Sequence, residues 1–164
     1  MAEIIKRCKK LAFYGVPVSS DGVTTYTFYR MKGFDEISTS KNPKEYSRQY
    51  VDEEFEQTDV VGYTPSITFG FDRFSDDAVH MDIISIFDDE KVGAEAVRPI
   101  IMVDLADDKF TAIKRDFAVV AESEGRGLET YKYNGTFRVK GEKINGTATS
   151  DDGWQTCNFT EVQE

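Results

Sequence analysis

The sequence predicts an α+β domain, mainly β, and three observations carry that expectation. Aromatic residues are abundant, twelve Phe and eight Tyr against one Trp, and together with many Thr and Val they suit pleated, half-buried surfaces. Strict alternation of apolar and polar side chains marks Ser66 to Phe74, the pattern of a sheet buried on one face and wet on the other. Only one stretch, 77–90, has apolar residues at helical spacing, so no βαβ repeat is expected.

Taken in order, residues 1–10 read as an N-terminal arm, and Lys9 to Val18 as a first short strand or part of that arm. Pro17 argues against a central strand there, because it cannot donate to a ladder. Asp21-Gly22 signals a tight turn into a strand over Val23 to Met31. After Gly33 the segment Phe34 to Ser40 reads as a weaker return strand. Residues 41–63 form a long connection, and Ser66 to Phe74 is the clearest strand. Asp76 or Asp77 offers an N-cap for the helix. Val79, Ile83, Ile86 and Phe87 form its apolar stripe, Asp82, Ser85 and Asp89 lie opposite, and Gly93 marks its end.

Arg98 to Leu105 is apolar on both faces, which fits a strand under the helix. Phe110 to Glu122 alternates with a slip, which predicts a bulge, and Gly125 and Gly127 predict a loop. The remainder reads as a meander whose turns fall at Asn134-Gly135, Asn145-Gly146 and Asp151-Asp152-Gly153, and Trp154, the start of the closing strand, is expected in the core.

The net charge of −10 argues against a protein that grips nucleic acid, since phosphate binding needs Lys and Arg to displace counterions. The charge is polar along the chain. Residues 1–50 hold nine Lys or Arg against five Asp or Glu (+4), and 51–164 hold eleven against twenty-five (−14). Such asymmetry suits head-to-tail contact between copies, or a solvated basic N-terminus. The start of the chain lacks the apolar stretch of a signal peptide, and no run approaches the roughly 20 apolar residues of a membrane span. Cys8 and Cys157 have no metal-ligand spacing and read as free thiols.

Signals of chemistry are weak. His80 is the one histidine and reads as a packing or surface residue. No local nucleophile signature is present, and Gly125-Arg126-Gly127 is too short for a phosphate loop. The acidic pairs 76–77, 88–89, 107–108 and 151–152 lack calcium-loop spacing and suit caps and turns. The expectation is a non-enzyme with no catalytic residues, cofactor or metal.

The connection over 41–63 stands out. An unstructured link of about twenty residues is uncommon in a compact domain without a function. It carries Lys44, Tyr46, Arg48, Tyr50, Glu53, Glu54, Phe55 and Glu56, which are the candidate contacts with other copies. With no local core of its own, the segment is expected to order on docking. Its text, from Lys41-Asn42-Pro43-Lys44-Glu45-Tyr46 through Asp59-Val60-Val61-Gly62-Tyr63 to Pro65-Ser66-Ile67 and a Phe-rich strand, resembles the tail tube, or major tail protein, family of tailed phages and prophages.

That resemblance implies two packed antiparallel sheets, as a sandwich or partial barrel, flanked by one helix, in a single domain spanning 1–164. It implies a structural virion protein assembled in the host cytoplasm, with copies in hexameric rings stacked into a tube. Partners would be further copies, the tape-measure protein, and tail terminator and distal tail proteins. DNA would pass the lumen without specific binding, and Asp72, Glu122 and Glu129 are the candidates to face it. A small host β-barrel binding protein or enzyme is the alternative, and a contractile-tail or bacteriocin-like tube is a close variant.

Overall fold

The computed structural model describes residues 2–162. Met1 of the expected arm and the last two residues of the expected domain therefore lie outside the described residues. Eleven strands and one α-helix follow in order: β1 (Lys10–Ser20), β2 (Val23–Arg30), β3 (Phe34–Ser40), β4 (Pro43–Arg48), β5 (Gln57–Tyr63), β6 (Ser66–Asp72), α1 (Ala78–Asp88), β7 (Val97–Asp104), β8 (Thr111–Arg126), β9 (Lys132–Val139), β10 (Ile144–Thr149) and β11 (Thr156–Glu161). The α+β, mainly β expectation holds.

Where two packed sheets are expected, the body is one antiparallel sheet, and a second, two-stranded sheet stands apart from it. Nine strands run in the order β10-β11-β2-β1-β7-β8-β9-β6-β3, all antiparallel, and β10 also pairs with β8. That extra pairing closes six strands into a small barrel, and β9, β6 and β3 continue from it as an open wing. Closure removes edges that would otherwise face solvent unpaired.

Two apolar clusters result. Phe13, Ile101, Val103, Ala112, Ala148 and Cys157 fill the barrel. Ala12, Tyr14, Ile67, Phe69, Phe71, Ile100, Phe117, Val119 and Phe137 face the other way and pack with Val79, Ile83, Ile86 and Phe87 of α1. Alternate residues of β1 and β7 thus serve opposite clusters, which accounts for the two-faced apolar pattern of β7. The helix begins where its cap residue predicts: the Asp77 carboxylate accepts from the backbone N–H groups of Val79 (2.9 Å) and His80 (3.2 Å).

Several expectations need correction. Strand β1 is built into the sheet and is not an arm: β7 pairs with Lys10 to Tyr14, β2 pairs from Phe13 onward, and both flank it at Phe13 and Tyr14. Pro17 is tolerated because that part of β1 pairs with β2 alone. Strand β3 does not return along β2 but pairs with β6, while β2 takes β1 and β11 as neighbours. Asn134-Gly135 and Asn145-Gly146 are not turns; they lie inside β9 and β10. A Cβ on Gly135 would meet the Val120 carbonyl at 2.4 Å and the Phe69 ring at 2.8 Å. One on Gly146 would meet the Thr160 carbonyl at 2.2 Å and the Phe159 ring at 2.6 Å. Glycine serves close approach at both places, with an aromatic ring lying over the bare backbone. The slip in β8 is real: its register with β9 shifts between Ala121 and Ser123 and again between Glu124 and Arg126, so the strand runs on through the expected loop at Gly125.

Candidate assembly interface

The segment 41–63 is a β-hairpin. Among the described residues strands β4 and β5 pair with each other and with no other strand, forming a separate two-stranded sheet. At about 3.3 Å per residue each arm carries the tip about 20 Å from the point where the chain leaves the wing. The expectation of a segment without structure before docking is therefore corrected: cross-strand pairing supplies the local order that composition alone does not reveal.

The candidate contact residues fall into two groups. Arg48 reaches Asp59 across the hairpin at 2.6 Å, donates from Nε to the Tyr50 hydroxyl at 3.0 Å, and lies 5.3 Å from the Tyr46 ring centroid. The Asp59 and Tyr50 bonds raise its pKa above the usual arginine value. Tyr46, Arg48 and Tyr50 thus hold the hairpin together. Beyond them the tip presents Val51, Asp52, Glu53, Glu54, Phe55 and Glu56. Gln49 shapes it by donating to the carbonyls of Glu53 (3.1 Å) and Glu54 (3.2 Å). Phe55 is 79% exposed. Lys44 is exposed on the stem.

At the hairpin's base lies a cleft of about 530 Å³. Its floor is apolar, formed by Ile37, Ile67, Ile100, Met102, Ile113 and Phe117, and its rim carries Arg7, Lys10, Lys41, Arg115 and Lys143. Among the described residues no carboxylate lines it. The helix covers the wing's apolar face farther along and leaves this end open. Arg7 bonds across it to the Ile37 carbonyl at 3.1 Å, and Arg115 is braced by the Gly141 carbonyl at 2.9 Å. The rim residue Arg7 belongs to a short turn, Arg7–Lys9, at the end of the expected arm.

The lumen candidates do not form one cluster: Asp72 ends β6 and Glu129 precedes β9 at the end of the wing away from the hairpin, while Glu122 sits at a bulge of β8 beside the middle of β9. Asp72 accepts from the Thr130 hydroxyl at 2.8 Å and lies 3.5 Å from Lys132 Nζ, and these contacts, the Thr130 bond foremost, lower its pKa. Glu122 accepts from the Thr136 hydroxyl at 3.0 Å. Glu129 is exposed in the β8–β9 connection. None of the three is near the hairpin tip in sequence or strand register.

The remaining polar groups are structural. His80 is fully buried. Its Nδ1 accepts from the Phe74 N–H at 3.2 Å, its Nε2 is 2.6 Å from the Lys32 carbonyl, and its ring stacks on Phe71 with centroids 4.4 Å apart. It pins the loop before α1 to the wing. Tyr14 and Arg98 both bond the Asp82 carboxylate, at 2.5 Å and 2.8 Å. Burial, with Asp82 alongside, pushes the Tyr14 pKa well up. Burial opposes the Arg98 charge, yet Asp82 more than compensates and its pKa stays raised. Asp107 and Asp152 accept from nearby backbone N–H groups in turns. Among the described residues no group of three or more His, Cys, Asp or Glu is placed to hold a metal. No helix among them is long and apolar enough to cross a membrane.

No family model matches the chain, and no curated protein sequence matches it. Its fold does match solved structures. A chain in a structure described as the tail of an empty GTA particle, refined with helical C6 symmetry, superposes with a TM-score of 0.55 at 14% identity, over 85% of this chain and 97% of that one. A chain of the anti-feeding prophage baseplate, 6-fold symmetrised, gives a TM-score of 0.49 at 6% identity, over 90% and 98%. At that identity the GTA match shows a shared fold: this mainly β domain with one helix superposes on a chain of a particle tail.

Proposed function

We propose that this chain is a structural virion protein, the subunit of a phage tail tube. Copies polymerise as stacked rings, six to a ring, and form the conduit for DNA ejection. The observation that carries the reading is the ordered hairpin over 41–63, whose strands pair only with each other among the described residues and which leaves Tyr46, Tyr50 and Phe55 exposed, a surface that a further copy would cover. The shared fold with a chain of a C6-symmetric tail supports it. In this reading the partners are further copies, the tape-measure protein, and terminator and distal tail proteins, and the chain is not an enzyme. A ring of identical copies uses head-to-tail contacts. Asp72, Glu122 and Glu129 would line the lumen, where negative charge repels phosphate and lets DNA slide.

Negative-stain microscopy of the concentrated protein across a range of salt tests the reading, and rings or hollow tubes are expected. A chain that stays monomeric under every condition overturns it.

A further inference from the structure

We propose that the basic cleft at the hairpin's base is the seat of the hairpin tip of a second copy. Phe55 enters the apolar floor, and Glu53, Glu54 and Glu56 meet the cations of the rim. The inference rests on the self-assembly reading above and names the docking site that reading lacks.

Three observations carry it. The first is charge. The tip residues 52–56 hold four carboxylates and no cation, while among the described residues five cations and no carboxylate line the cleft. Opposite potentials across an interface steer encounter and fix register. The second is shape. The cleft has an apolar floor under a polar rim, and the tip has one bare aromatic ring, 79% exposed, among polar neighbours. An aromatic anchor in a pocket surrounded by rim charges is the usual layout of a binding hot spot. The third is reach. Lys41 and Pro65, where the hairpin leaves and rejoins the wing, line the cleft themselves. A stem about 20 Å long therefore carries each tip away from its own cleft. The tip and the cleft that fit each other belong to different copies, and such a contact is heterologous, repeating from copy to copy until a ring closes.

Lys41 and Lys143 are exposed on the rim, so changing them leaves the core intact. Full-length protein in a C8S background tests the seat directly. Copies carrying F55C are mixed with copies carrying K143C under a mild oxidant, and a disulfide-linked pair is expected from the mixture alone. Absence of that link, or a link formed as readily with D88C on the helix, overturns the seat whether or not the protein forms tubes. Charge exchange gives a second readout. Reversing the tip (E53K, E54K, E56K) or the rim (K41E, K143E) is expected to raise the concentration needed for assembly about tenfold or more. Combining both sets in one chain restores it. If the single sets assemble like the parent, the seat is wrong while the tail-tube reading stands. A parent chain that never assembles refutes that reading instead.

Discussion

Arg98 Nε donates to Asp82 Oδ2 at 2.8 Å, joining the start of β7 to the middle of α1. Both side chains are nearly out of solvent, at 8% and 12% exposure. The Arg98 guanidinium also donates to the carbonyls of Glu95 and Val97, so the helix is clamped to the strand beneath it and to the turn between them. Removing one member of a buried pair strands the other charge. D82A is expected to cost about 3 kcal/mol in denaturant unfolding, and Y14F, which deletes one bond to the same carboxylate, about 1 kcal/mol. An equal and small loss in both would show that the pair carries no weight.

Asp152 should give stability a distinct acid dependence. The Thr156 hydroxyl, followed by backbone N–H groups and Ser150, lowers its pKa to about 2. A depressed carboxylate stabilises the fold above its unfolded pKa near 3.9, and that contribution fades as pH falls toward 2. Melting temperatures of the parent and D152N should differ at pH 7 and converge by pH 2. A constant gap across that range would refute the assignment.

The two cysteines should react differently. Cys8 is exposed and Cys157 is buried, and burial, with Asp152 nearby, pushes the Cys157 thiol up to about 12. A thiol reagent at pH 8 should label one site per native chain and a second only after denaturation, because the thiolate is the reactive form. Mass spectrometry of the labelled peptides distinguishes the sites.

The glycines inside β9 and β10 should not tolerate a methyl group. G135A and G146A both press a Cβ into backbone and ring atoms, and each is expected to lose about 1–3 kcal/mol. Chemical denaturation followed by Trp154 fluorescence reports the change.

Deleting 44–58 should separate folding from assembly. The hairpin shares no sheet with the body, so far-UV circular dichroism and the melting temperature should stay close to the parent while rings and tubes disappear from micrographs. Tubes built from the shortened chain would place the assembly contacts elsewhere.

Much of the fold was legible because local chemistry and tertiary context agree. Asp77 caps α1 as expected, the stripe of Val79, Ile83, Ile86 and Phe87 faces the wing, and Asp21-Gly22 makes the β1–β2 turn with positive φ at both residues. The misreadings share a cause. Asn134-Gly135 has the composition of a turn, but the reason for the glycine is the Phe69 ring above it, far away in sequence. His80 looked like a possible surface residue because its partners, Lys32 and Phe74, join it only through the fold. The segment 41–63 stands out in the sequence but its order does not, since Arg48 and Asp59 meet only once the two arms pair. The basic cleft was not legible, because its five cations come from four separate stretches of chain.

The neighbours Phe13 and Tyr14 on β1, and Ile100 and Ile101 on β7, point into different apolar clusters. Barrel and wing therefore have a party wall, and neither can be stripped without baring the back of the other. A subunit so constructed offers mechanical load no seam along which to yield, so force on an assembly of such copies would part the joints between them before it opened any one of them.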